Sequence, residues 1–263
     1  MAMNGFPEQD RSGRSFDGSI HDVATICVLA GKILLQSGAE TYRVEDTMNR
    51  LARGFHVEDA QSFVTPTGII FSIESTDITK LVRINNRSIN LRKVTEVNRL
   101  SRAVANGHVM PTAALSRLRA IDGGTVCYRS WLQILAAAAS SSCFLIMFLG
   151  RWQDAFPAFI AGGAGQAAVM YFHRLTRIKF FSECLASVLV GTIAVYSVRL
   201  GVGTELDKII IGAVMPLVPG VPVTNAVRDI MAGDLMSGLA KTAEAGLTAF
   251  AIGTGIAMAI VFY

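Results

Sequence analysis

The sequence is poor in the markers of hydrolytic, metal-dependent or nucleotide-driven chemistry. Its four histidines, His21, His56, His108 and His173, are scattered along 263 residues, and no HExxH pair is there to grip a metal ion. No GxSxG elbow, P-loop or GxGxxG turn occurs, which argues against ATP-driven pumping or acyl hydrolysis by this chain. The four cysteines, Cys27, Cys127, Cys143 and Cys184, have neither CxxC spacing nor a histidine at ligand spacing, so they read as reduced thiols. Neither a cofactor nor a metal is expected. Basic and aromatic residues do not interleave in a stripe, so nucleic acid is not an expected partner. The first eighteen residues, MAMNGFPEQDRSGRSFDG, lack the apolar core of a signal peptide and read as a disordered lead, 1–18.

Apolar sequence is abundant. Half the residues (51%) are hydrophobic, and the mean hydropathy of +0.44 is high for a soluble domain. The charge is uneven: residues before Trp131 carry roughly twice as many Lys and Arg as the remainder. The expected fold is a mainly α, polytopic membrane protein, with a small α+β domain at 19–129 and a transmembrane domain at 130–263.

Within 19–129, apolar residues from Ile20 to Leu34 recur at helical spacing, with Ser19 or Asp17 as a cap and Gly38 as the stop. Val44, Met48, Leu51 and Phe55 form one stripe of a second helix ending at Gly54. Glu40, Arg43, Asp46 and Arg50 lie off that stripe at ion-pair spacing. "SFVTPTGIIFSIES" and "ITKLVRI" read as two strands of a hairpin turning at Thr76–Asp77, with Pro66 and Gly68 marking a bulge or an edge in the first. Two further helices end at Gly107 and Gly123–Gly124, the second opening at Pro111.

From Trp131 onward, five spans are expected: Trp131–Leu149, Ala155–Phe172, Glu183–Leu200, Lys208–Met231 and Thr242–Phe262. Each has the roughly twenty apolar residues that a hydrocarbon core about 30 Å thick requires. The loop with Arg174, Arg177 and Lys179 is basic, whereas Arg151 with Asp154, and Glu205 and Asp207 with Lys208, are mixed. The positive-inside rule then puts the N-terminal domain in the cytoplasm and Tyr263 on the far side. "LAAAASSS", "AGGAG" and "GTG" supply small-residue faces for helix packing within the bundle or against a partner chain.

The fourth span is broken by Pro216, Pro219 and Pro222. A proline inside a helix costs about 3 kcal/mol or more, so the chain around Gly220 is expected to unwind. In lipid such a break persists only where protein or water covers it. Thr224 and Asn225 would then fall in the first turn of a new helix whose start favours an anionic group. Arg228 and Asp229 follow, either as an interfacial pair that anchors the span or as part of a solute site. Glu244 reads as the exposed partner of Lys241 or as a proton-coupling carboxylate; Asp229 is a second candidate for that role.

"SGAETYRVEDTMNRLA" (Ser37–Ala52), "VTPTGI" (Val64–Ile69) and "LVPGVPVTNAVRDIMAGDLMSG" (Leu217–Gly238) resemble the threonine/serine exporter family of bacterial inner-membrane proteins. The resemblance runs over nearly the whole chain from about residue 20. It implies secondary transport of small carboxylate-bearing metabolites out of the cytoplasm: threonine and serine, or C4-dicarboxylates such as succinate in some relatives. Family members resemble a cytoplasmic domain followed by about ten spans, so this chain resembles the first half of the split type, with a second membrane protein of about four spans as its partner. Carried over onto this sequence, the family's Pro–Gly motif falls on Pro219, Gly220 and Pro222, and its polar run on Asn225, Arg228, Asp229 and Gly233–Asp234. The cytoplasmic motif falls on Glu40, Thr41, Tyr42, Arg43, Glu45 and Asp46 with Thr65, Pro66, Thr67 and Gly68. That motif is either a gating surface or a structural ion-pair network. An expectation of another class is a membrane-anchored hydrolase or sensor acting through the N-terminal domain.

Overall fold

The computed structural model describes residues 20–124, 128–176 and 178–262. The expected disordered lead at 1–18, the caps Asp17 and Ser19, and Cys127, Arg177 and Tyr263 lie outside them. The chain divides into two compact units, Met1–Gly124 and Thr125–Tyr263.

In the first unit, α1 (Ile20–Gln36) is buried along most of its length, from Val23 to Leu35. It ends as expected at Gly38, whose φ of +85° permits a left-handed stop. α2 (Thr41–Gly54) buries Val44, Met48 and Leu51, and α3 (Leu91–Ala105) and α4 (Pro111–Gly123) complete the helical layer. Asn90 caps α3 by accepting from the Lys93 amide at 3.2 Å.

The sheet departs from the expected hairpin. It has three antiparallel strands in the order β1 (Ala60–Thr65), β2 (Gly68–Ile73) and β3 (Ile78–Arg83). Pro66 and Gly68 make neither a bulge nor an edge, because Pro66–Thr67 is the turn between β1 and β2, with Thr65 paired to Gly68. Proline donates nothing to a ladder, and the turn asks nothing of it there. Val64, Ile69, Phe71 and Ile73 face the core, whereas Phe63, Ile70 and Leu81, paired across the strands, are exposed.

The second unit is helical. It comprises α5 (Ser130–Met147), α6 (Ala155–Thr176), α7 (Lys179–Arg199), α8 (Leu206–Val214), α9 (Gly220–Met231) and α10 (Leu235–Val261). Among the described residues, four helices are long and apolar enough to cross a membrane, with α5, α6, α7 and α10 as their bodies. The count rises to five if the bent α8–α9 pair forms one span. Leu135, Phe156, Leu189 and Phe250 are exposed apolar residues on these helices, a surface that suits hydrocarbon. Two spans start earlier than their hydropathy indicates: α7 at Lys179 rather than Glu183, and α10 at Leu235 rather than Thr242.

Several small-residue faces are consumed inside this unit. A Cβ on Gly162 would lie 1.9 Å from Ser141 Oγ, where α6 crosses α5. A Cβ on Gly255 would lie 2.4 Å from the Cys184 carbonyl oxygen, and one on Gly191 2.6 Å from Ala259 Cβ. Along α7 and α10 the partners rise together, from Lys179 with Glu244 to Gly191 with Ala259, so these two helices run in the same direction.

Candidate functional site

Two of the three prolines, Pro219 in the break and Pro222 in the first turn of α9, fall where a helix does not need their amides. α8 tightens into a 3-10 turn, Met215–Leu217, with Pro216 in its first positions. Val218 and Pro219 then leave helical geometry, and α9 sets off at 63° to the preceding segment. The Val223 amide donates to the Pro219 carbonyl at 3.0 Å and opens the new ladder. The helix therefore begins at Gly220, not after Pro222. Pro222 is its third residue, among the first-turn positions whose amides have no intrahelical acceptor. Thr224 and Asn225 consequently lie in the second turn rather than the first. Thr224 is exposed, and its hydroxyl donates back to the Gly220 carbonyl at 2.9 Å. Val218, Gly220 and Val221 are exposed, and nothing lies within 4 Å of a Cβ built on Gly220, so the break opens onto the surface of this unit.

α9 has one buried polar face. Asn225, Ala226 and Asp229 are buried, with Asn225 and Asp229 one turn apart, whereas Arg228 is exposed. The two adjacent charges thus occupy different surroundings, and the partner of Asp229 comes from another helix. α9 ends in a Schellman motif: the Asp234 amide donates to the Asp229 carbonyl at 2.9 Å and the Gly233 amide to Ile230 at 3.1 Å, with Gly233 at φ +97°. The chain reverses into α10. Gly238 lets the two helices touch, since a Cβ there would lie 2.3 Å from Ile230 Cγ1 and 3.0 Å from the Ala226 carbonyl oxygen. This close approach brings the Lys241 ammonium to 2.6 Å from Asp229 Oδ2. Asp229 is fully buried and Lys241 nearly so.

Asp234, in the turn between the helices, is an electrostatic neighbour of both. Burial first, and then the Asp229 charge, push its carboxyl above the ordinary range against the pull of Lys241. Its Oδ2 is buried with no hydrogen-bond partner. Asp229 thus holds the Lys241 ammonium directly, Asp234 feels its charge from the turn, and Arg228 stands on the exposed face of α9. A buried ion pair is held by mutual compensation, so removing either member exposes the full desolvation cost of the other.

Glu244, expected beside Lys241, accepts from Lys179 of α7 at 3.1 Å. Lys241 and Lys179 are thus the functional candidates that sequence reasoning passed over or assigned elsewhere. The usable signal was Gly233. A C′ glycine folds α9 back on α10, and the residues on either side of such a turn meet.

The motif in the first unit lies along α2 and the β1–β2 turn. Glu40 and Arg43 pair at 3.3 Å, and Arg50 pairs with Asp46. Glu45 Oε1 accepts the Val64 amide at 2.7 Å and ties α2 to β1. Thr65 Oγ1 accepts from the Gly68 amide at 3.1 Å and closes the Pro66–Thr67 turn. Thr41 and Pro66 are buried, while Tyr42 and Thr67 are exposed. Among the described residues, no group of three or more His, Cys, Asp or Glu is placed to hold a metal ion.

A family model described as "Putative threonine/serine exporter" matches residues 25–263. Over 248 residues the chain is 28% identical to "Probable succinate transporter subunit YjjP" of Escherichia coli K12, covering 92% of this chain and 94% of that protein. It is 22% identical over 263 residues to "Probable threonine/serine exporter" of Mycobacterium tuberculosis, covering 97% of this chain and 49% of that protein. With "Threonine/serine exporter" of Corynebacterium glutamicum, the identity is 22% over 248 residues, covering 90% and 50%. The chain therefore spans about half the length of these two exporters and nearly all of the succinate transporter subunit. No solved structure matches it significantly.

Proposed function

The chain belongs to the threonine/serine exporter family, and from that premise we propose that it is one subunit of a two-component secondary transporter. The complex moves small carboxylate-bearing metabolites out of the cytoplasm, and the proton gradient drives it. The observation that carries this reading is the break at Val218–Gly220, where Val218 and Gly220 are exposed on either side of a buried Pro219, backed by the buried Asp229–Lys241 pair. Irregular backbone at membrane depth needs protein or water to cover it. On this reading, a second membrane chain of about four spans covers the break and completes the path. The near-complete match to a protein named as a subunit, and the half-length match to the exporters, support the division into two chains.

Pro219, Gly220 and Pro222 shape the opening in this mechanism, and Thr224 and Asn225 line it. The solute's carboxylate first meets the positive end of α9 at Gly220; Asp229 and Lys241 lie about 13 Å further along the helix, where it next competes with Asp229 for Lys241, with Arg228 attracting it from the outer face. Asp229 and Glu244 are proton-coupling candidates. The parallel course of α7 and α10 supports counting α8–α9 as one broken span, because a crossing between them returns the chain to the side where α7 began. The membrane is then the bacterial inner membrane, with the basic N-terminal domain and the Arg174 loop in the cytoplasm.

Amino acids and C4-dicarboxylates share the carboxylate, and a second reading, succinate export, is favoured by the relative matched over its full length. Efflux from cells loaded either with a threonine-containing dipeptide or with succinate, with and without this chain and its companion, separates the two. Faster loss of one solute in the presence of both chains is expected. Identical loss of both solutes with and without the proteins would overturn the reading.

A further inference from the structure

A second polar cluster lies between α7 and α10, one turn in from the Lys179–Glu244 pair. Glu183 is only 8% exposed, and its Oε2 is buried with no hydrogen-bond partner. Thr248, on α10, is 1% exposed, and its Oγ1 is likewise buried and unpartnered. The Thr248 hydroxyl is a hydrogen-bonding neighbour of the Glu183 carboxyl, although the two do not close a bond of normal geometry. Two facing polar atoms left unsatisfied in an apolar span are costly. They call for a ligand that can join them.

The packing restricts what that ligand is. Gly255 and Gly191 bring the α7 and α10 backbones together along this seam, and Glu183 and Thr248 are nearly sealed. A proton is a ligand that such a contact can take up without opening. The charged and titratable groups around Glu183 are Lys179 on its own helix, Glu244 on α10 and His173 on α6. Lys179 lies four residues before Glu183 and pairs with Glu244 at 3.1 Å. A carboxylate buried in a span is costly as an anion, and a bound proton removes that charge. Exposure also falls along the row, from 43% and 27% at the Lys179 and Glu244 side chains to 8% at Glu183.

We propose that Glu183 is a proton-binding site, with Thr248 as its hydrogen-bond acceptor and the Lys179–Glu244 pair as its connection to the adjoining water. On protonation, the new O–H of Glu183 donates to Thr248 Oγ1, and Lys179 stays with Glu244. On release, the proton leaves past the pair, Lys179 swings toward Glu183, and the Thr248 hydroxyl donates to the carboxylate. The exchange moves one proton and one ammonium group, and after release it is Glu244, the more exposed of the two carboxylates, that gives up the Lys179 ammonium. It rests on the transport reading for its use, and not for its existence.

Infrared difference spectroscopy of the full chain in lipid vesicles, with and without its companion, tests the site directly. Expected is a protonated-carboxyl stretching band that titrates in the wild type and is lost in Glu183→Gln, an isosteric change. Thr248→Val should shift that band by removing its acceptor. In the same vesicles, Glu183→Gln should keep solute exchange and lose the response to an imposed pH gradient. A titrating band that survives in Glu183→Gln unchanged would overturn the proposal, as would gradient-driven flux at the wild-type level in that variant. If neither wild type nor variant moves solute, the transport reading fails, while the band still decides the proton site.

Discussion

Asp229 shows how much can hang on a single residue in an apolar helix. It is wholly enclosed, and its charge is tolerable because Lys241 stands 2.6 Å away. Lys241→Met should destabilise the protein by about 3–5 kcal/mol, the usual consequence of stranding a buried charge. Adding Asp229→Leu should restore much of that loss. Thermal unfolding in lipid micelles checks both changes, and equal melting temperatures for wild type and Lys241→Met would contradict the pairing. In the first unit, Asp59 offers a pH-dependent counterpart. Hydrogen bonds from Ser75, one of them from its amide at 2.6 Å, hold the Asp59 carboxyl below its ordinary range. A carboxyl lowered by folding stabilises the fold above its unfolded value, near pH 4. That contribution is lost as the pH falls through the folded value. Protection of the Ser75 amide from hydrogen exchange should therefore drop in acid in the wild type and be low throughout in Asp59→Ala, which removes the acceptor. Burial also pushes the Cys27 thiol far above its usual range, in keeping with a structural thiol.

The helices show where sequence was informative and where it was not. Glycine stops and apolar stripes made α1 to α4 legible, because local periodicity and left-handed backbone are encoded in consecutive residues. Pro66 was harder. The same dipeptide chemistry that marks a bulge also marks a two-residue turn, and only the register distinguishes them. The proline-rich stretch announced the break in the fourth span. The exact helix start was hidden, because a proline is tolerated anywhere in a first turn. Lys241 and Glu183 were obscured for one shared reason: hydropathy places a span's edge where charge stops, yet α7 and α10 continue a turn or more through charged residues. Partners on another helix are not written in spacing along one. Close contact between α7 and α10 is itself testable. Gly255→Ala pushes a methyl against the Cys184 carbonyl and should cost about 1–3 kcal/mol. Gly253→Ala, two residues away with nothing within 4 Å, should be neutral or slightly stabilising. Paired melting curves in the same micelle decide this, and equal losses at both glycines would contradict the packing.

As a whole, the molecule joins an α+β unit, in which Glu45 ties α2 to β1, to a helical unit whose broken helix leaves Val218 and Gly220 exposed. The assignment of α9 to the translocation path, and of a second chain to cover it, makes the two-component exporter the central claim. Purified chain and companion, reconstituted in vesicles loaded with labelled threonine or succinate, test it most directly. The account predicts release of at least one of these solutes above protein-free vesicles when both chains are present. It predicts little release with this chain alone, and a marked loss of release in Asn225→Ala and Asp229→Asn complexes that still assemble. Release no faster than from protein-free vesicles, or wild-type release in both variants, would contradict it.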